Sequence, residues 1–205
     1  MRTFILEKLA NSVATLQRVM ADTALLDAVT QAADATGAAL LAGRKLMIAG
    51  NGGSAADSQH LAAEFVSRLT VDRPAMRAVA LTTDSSALTA IGNDYGYERV
   101  FERQIEALGQ SGDVFLAIST SGNSPNVLRA LTLSRALGIV TIGFSGNGGG
   151  KMLPLCDHNI VIPSTITANI QEAHLALEHI YCGLVERSYF GAEFFSTPKP
   201  AVAMA

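Results

Sequence analysis

Leu6, Leu9, Val13, Leu16 and Met20 recur at spacings of three and four, which predicts an amphipathic helix near the N-terminus. Asp22 or Thr23 can cap a second helix carrying Leu25, Leu26 and Val29. That helix ends with Leu40 and Leu41, and Gly43 stops it. After residue 43 the pattern changes to short apolar runs. Lys45–Gly50, Arg77–Leu81, Val114–Ile118, Ile139–Phe144 and His158–Ile162 read as buried strands. Helical stretches lie between and after them, over 55–69, 98–108, 125–137 and 168–188.

Strands that alternate with helices imply a parallel sheet covered on both faces. The expected fold class is therefore α/β, doubly wound, with five strands in a flavodoxin-like order. One domain is expected over 1–195, including the helical pair 1–42. Pro198 and Pro200 among small residues mark 196–205 as a flexible tail.

Composition narrows the class. Hydrophobic residues make up 49% of the 205 and charged ones only 16%, which argues against disorder. A net charge of −3 leaves no nucleic-acid footprint. Cys156 and Cys182 are far apart and form no CxxC pair, so reduced thiols are expected. No apolar run approaches the ~20 residues of a membrane helix. The start Met1-Arg2-Thr3 lacks the apolar core of a signal peptide, so a cytoplasmic protein without membrane or nucleic-acid partners is expected.

Two turns carry candidate binding chemistry. The first strand runs into GNGGSAAD, residues 50–57. Its glycines let bare backbone approach a ligand, and Ser54 with Asp57 resembles a capping box that opens a helix. Such an end is a cradle for an anion or polar group. The pattern is neither GxGxxG nor GxxxxGK[ST], which disfavours a dinucleotide or P-loop site. An ordinary strand–helix connection would look the same. The third strand ends in STSGNS, residues 119–124, before Pro125 at a helix start. Ser119, Thr120, Ser121 and Ser124 supply four hydroxyls in one turn, which suits a phosphate held without lysine or arginine. The plainer alternative is a polar loop with a serine N-cap.

Two helices carry metal-type ligands. His60 and Glu64 are four apart and share a face. Alone, the pair also suits a surface contact. The C-terminal helix contains IQEAHLALEHI, residues 170–180. Gln171 and His179 point about 80° apart on it, close enough to face one site. Periodicity does not single them out, because Gln171, His174 and Glu178 share a face and so do Glu172 and His179.

Together, GNGGSAADSQHLAAEF (50–65), LTAIGNDYG (88–96), STSGNS (119–124) and IQEAHLALEHI (170–180) resemble the sugar isomerase (SIS) domain and, within it, bacterial phosphoheptose isomerases. The resemblance covers roughly residues 1–190. It implies conversion of sedoheptulose 7-phosphate into D-glycero-D-manno-heptose 7-phosphate for nucleotide-heptose and lipopolysaccharide core synthesis. It implies one Zn2+ per subunit on His60, Glu64, Gln171 and His179. It also implies phosphate held by Ser119, Thr120, Ser121 and Ser124, and sugar contacts from Asn51, Gly52, Gly53, Glu64, Asn93, Asp94 and Gln171. A homotetramer with shared sites is implied as well, and the apolar stripe of the first helix fits it.

An enediol route would use Glu64 as the carbon base and His179 as the second acid–base group. Both are also implied ligands, so coordination would have to loosen during turnover. Asn169 departs from the acidic or basic residue that relatives often carry there. Two rivals share the fold. One is a replication-initiation adaptor, which lacks the glutamate and the final histidine. The other is an SIS enzyme for a different sugar phosphate. Glu64 and His179 favour the phosphoheptose isomerase.

Overall fold

The N-terminal pair forms where its spacing places it, with α1 over Arg2–Ala21 and α2 over Thr23–Leu41. Asp22 is the cap, its carboxylate accepting from the Leu25 amide. Gly43 follows with φ +76°, a left-handed step that costs glycine little. The structure is a computed structural model and describes residues 1–196.

The strands are β1 (Leu46–Gly50), β2 (Ala78–Ala80), β3 (Val114–Ser119), β4 (Val140–Ser145) and β5 (His158–Val161). They form one parallel sheet in the order β2-β1-β3-β4-β5, the flavodoxin-like order expected. β1 and β3 lie side by side, with Gly50 opposite Ile118, and β3 lies beside β4, with Ser119 opposite Ser145. The turns that leave β1, β3 and β4 are therefore neighbours at one edge of the sheet.

The helices after β1 are α3 (Gly53–Val66), α4 (Ser85–Tyr95), α5 (Val100–Leu108), α6 (Pro125–Ala136), α7 (Thr167–Phe190) and α8 (Ala192–Ser196). Alternation along each strand divides the core in two. Leu46, Ile48, Val114, Leu116 and Ile118 join Val29, Leu61, Phe65, Ile170 and Tyr181 on the face covered by α2, α3 and α7. Met47, Ala49, Phe115 and Ala117 join Phe101, Ile105, Val127 and Leu131 on the face covered by α5 and α6. Each fully buried Leu, Ile or Phe stabilises the fold by roughly 1.5–3 kcal/mol.

Several boundaries differ from expectation. α3 starts at Gly53 and not at 55, and no side chain caps it, so the Ser54–Asp57 capping box is not made. Ser54 instead lies buried inside the helix, its carbonyl accepting from the Ser58 hydroxyl. α4 was not expected at all. None of its residues is fully buried, and only the half-buried Leu88 and Ile91 pack against the core; Asp84 starts it by accepting from the Ala87 amide. The stretch 98–108 opens with a 3-10 turn, Tyr97–Arg99, before α5. α8 reaches Ser196, and the rest of the expected tail lies outside the described residues. Among the described residues no helix is long and apolar enough to cross a membrane.

Candidate active site

α3 and α7 run together and bring their polar faces to one point. The His60 and His179 Nε2 atoms stand 2.8 Å apart, and His60 Nε2 is 3.7 Å from a Glu64 carboxylate oxygen. One ligand atom from each of the three residues lies within 4.8 Å of the others. The imidazoles meet edge to face, with centroids 5.0 Å apart. The His60 side chain is 43% exposed and that of Glu64 19%, so the cluster opens to the surface. Two imidazole nitrogens and a carboxylate oxygen form a zinc-type donor set. The two Nε2 lone pairs converge on a single proton or a single cation, so the residues present fit such an ion.

Gln171 sits over the start of α3. A Cβ added to Gly53 would come within 2.4 Å of its Nε2, so glycine at 53 lets the two helices approach here. Gly52, just before it, is the N-cap of α3 with φ +57°. The structure thus gathers His60, Glu64 and His179, and sets Gln171 against the glycine turn.

Asn51 is tied sideways. Its amide exchanges two hydrogen bonds with that of Asn126, at 2.9 and 2.8 Å, and its Oδ1 also accepts from the Tyr97 hydroxyl. Asn126 is held in turn, its Oδ1 accepting from the Val127 amide. This pair joins the turn after β1 to the start of α6. Sequence reasoning missed Asn126, because a lone asparagine after a proline carries no spacing signal.

The serine turn is tied together by its own hydroxyls. The Ser119 and Ser124 hydroxyls are 2.9 Å apart, and the Ser121 hydroxyl accepts from the Asn123 amide. Ser124 is the N-cap of α6 yet makes no side-chain cap bond. Its hydroxyl turns inward, which weakens the plain N-cap explanation. Thr120 accepts at its carbonyl from the Gly146 amide and the Asn147 side chain.

That second contact belongs to a loop that the sequence reading left aside. After β4 the chain runs through Asn147, Gly148, Gly149 and Gly150, with φ of 50°, 72°, 85° and 55°. The loop lies against the serine turn so closely that a Cβ on Gly122 would meet the Gly149 carbonyl oxygen at 2.0 Å. The Met152 amide donates to the Gly122 carbonyl, and the Lys151 amide donates to Asn123 Oδ1. The GNGGGK run itself, at the end of a strand, was the available signal.

Asn93 and Asp94 stand apart on exposed α4, where the Asn93 amide donates to the Asp94 carboxylate. Among the described residues no hydrogen bond links either to the glycine turn or to the histidines.

Behind the cluster lie groups the sequence left undecided. Glu172 is exposed. His174 is fully buried against Phe144, and its Nε2 donates to the Ser145 carbonyl at 3.0 Å. Burial pushes its pKa down to about 4, partly offset by that bond. Glu178 is fully buried, with both oxygens unpartnered among the described residues. Burial, and then the Asp57 carboxylate, push its pKa up to about 8. Burial also raises Asp57, while His60 lowers it.

The chain is similar to known proteins over most of its length. A family model described as "SIS domain" matches residues 9–146. A phosphoheptose isomerase of Burkholderia pseudomallei is 56% identical over 90% of this chain and 96% of its own. One from Aneurinibacillus thermoaerophilus is 48% identical over 96% and 99%. A solved phosphoheptose isomerase from Neisseria gonorrhoeae superposes with a TM-score of 0.85 at 40% identity, over 90% of this chain and 98% of its own. With this sheet order, and with His60, Glu64 and His179 gathered across two helices, the chain belongs to the SIS-domain proteins and, among them, to the phosphoheptose isomerase family.

Proposed function

We propose that the protein is an aldose–ketose isomerase converting D-sedoheptulose 7-phosphate into D-glycero-D-manno-heptose 7-phosphate through a cis-enediol. The product would feed nucleotide-heptose and lipopolysaccharide core synthesis. The observation that carries this reading is the convergence of His60, Glu64 and His179 beside the glycine turn, in a chain 56% identical to a phosphoheptose isomerase.

The reaction moves one proton between C1 and C2 and another between their oxygens. Glu64 takes the carbon-bound proton and returns it to the neighbouring carbon. His179 carries the proton between the oxygens. Ser119, Thr120, Ser121 and Ser124 hold the phosphate, whose binding energy positions the distant carbons. Asn51, Gly52, Gly53, Asn93, Asp94 and Gln171 contact the sugar chain. The Asn51–Asn126 pair supports a role for the Asn51 backbone more than for its side chain.

His60, Glu64, Gln171 and His179 would hold one Zn2+ per subunit. When bound, the ion supplies a Lewis acid that polarises the substrate carbonyl. The exposed Leu6, Leu9, Val13 and Met20 on α1 support a homotetramer, and the open cluster supports sites closed by a neighbouring subunit. We place the enzyme in the cytoplasm as a single domain over 1–195, without nucleic-acid or membrane partners.

The test is to incubate the protein with sedoheptulose 7-phosphate, metal-stripped and zinc-restored, and to follow aldoheptose 7-phosphate by NMR. Product that vanishes on stripping and returns with zinc is expected. Turnover unaffected by stripping would remove the metal, and no product in either sample would remove the isomerase.

A further inference from the structure

Arg73 lies between α3 and β2, and its guanidinium is fully buried. A buried cation is tolerated only when paired and fully hydrogen-bonded. Arg73 is paired, and each of its three guanidinium nitrogens donates to at least one acceptor. Its Nε donates to Glu186 Oε1 at 2.7 Å. Its Nη2 donates to the Glu64 carbonyl at 2.6 Å. Its Nη1 donates to the carbonyls of Phe65, Ser67 and Pro74 at 2.8, 3.3 and 3.1 Å. The guanidinium carbon also stands 6.0 Å from the Phe190 ring centroid.

These partners are not scattered. Glu64 and Phe65 lie in the last turn of α3, where helix carbonyls run out of partners within the helix. Glu186 lies on α7, about two turns beyond His179. One rigid fork therefore closes the end of α3 and fastens it to α7. These are the helices whose side chains meet at His60, Glu64 and His179. A guanidinium suits the task because its donors are fixed in one plane, whereas lysine has one nitrogen and no fork.

We propose that Arg73 is a positioning residue, holding the last turn of α3 against α7 and so setting the Glu64 carboxylate relative to His60 and His179. The inference rests on the isomerase reading of that cluster, but its test separates the two.

Arg73→Lys is compared with the wild type in three ways. Folding and assembly are followed by circular dichroism and sedimentation. Zinc affinity is measured by competition with a chromophoric chelator. The kcat and KM for sedoheptulose 7-phosphate are measured separately. In the folded variant, zinc affinity should fall about 10- to 100-fold, the range for groups that orient a ligand. The kcat should fall about tenfold or more while KM stays within about twofold, because the serine turn is untouched. A wild type that binds no zinc would end the metal reading alone, and the kcat–KM split would still decide on Arg73. A wild type without turnover would end the isomerase reading alone, and zinc affinity would still decide.

A folded Arg73→Lys with wild-type zinc affinity and kcat, however low its melting temperature, overturns the proposal. If that variant does not fold, Glu186→Gln replaces it. It keeps the α3 carbonyl contacts and weakens only the link to α7. Both readouts should then fall about 3- to 10-fold, as for a charge-assisted bond made neutral. Unchanged values overturn the proposal. Failure of both variants to fold does so too, since Arg73 would then serve global stability.

Discussion

Glu64 is the residue with the sharpest expected effect. Its Oε1 lies 3.7 Å from His60, and its backbone carbonyl is held by Arg73. Glu64→Gln keeps the size and the helix, so the melting temperature should change little. Turnover should fall by at least about 10²-fold, the lower contribution of a positioned base. A variant with wild-type turnover, measured by the same NMR assay, would take Glu64 out of the chemistry. His174 yields a prediction in pH. Its folded pKa of about 4 lies below the ordinary 6.5, so the unfolded chain binds more protons between these values. Stability from neutral His174 is therefore complete above about pH 6.5 and is lost as pH falls towards 4. His174→Gln can still donate to the Ser145 carbonyl but cannot titrate. Urea midpoints at pH 4.5 and 7 should differ less for the variant than for the wild type. Equal differences would mean that His174 is not the titrating group.

Elements position these residues, and the loop after β4 shows how. Gly149 has φ +85°, and its Cβ would lie 2.1 Å from Leu153. Gly149→Ala should push this loop off the serine turn. KM for the sugar phosphate should rise about 5- to 30-fold, on the order of 1–2 kcal/mol of lost binding for a strained backbone position. Zinc affinity should stay at the wild-type value, because α3 and α7 are untouched. A lowered zinc affinity with unchanged KM would contradict that division. The same element shows where sequence reading stops. The strands were legible because each is a short apolar run, and α7 because its stripe is long. The brace behind the serine turn was not, because it consists of backbone amides and glycines, which have no hydrophobic period. α4 escaped for a related reason, since its contact with the core is only the short pair Leu88 and Ile91, both half-buried. The approach of His60 to His179 was legible only through the resemblance. Their separation of 119 positions in the chain makes the contact a product of the fold, not of local spacing.

At the scale of the whole molecule, α1 is the least explained part of a lone chain. It buries only Thr15 and Val19 and leaves Phe4, Ile5, Leu6, Leu9, Val13 and Met20 in solvent. Such a face needs a partner. Leu9→Gln combined with Val13→Gln should shift the proposed tetramer towards smaller species in sedimentation. Turnover should fall with it if neighbouring subunits close the site. A double variant that remains tetrameric and active would locate the contact elsewhere.

The ladder between β1, β3 and β4 has one more consequence. Gly50 faces Ile118, and Ser119 faces Ser145, so the glycine turn, the serine turn and its brace inherit their spacing from hydrogen-bonded register. A slip of β3 by one residue would carry Ser119 about 3.3 Å along the sheet. It would also turn Phe115 and Leu116 into the opposite cores. The two cores therefore act as a proofreading device against such a one-residue slip: it would misplace the glycine and serine turns only at the cost of exchanging residues between the two cores.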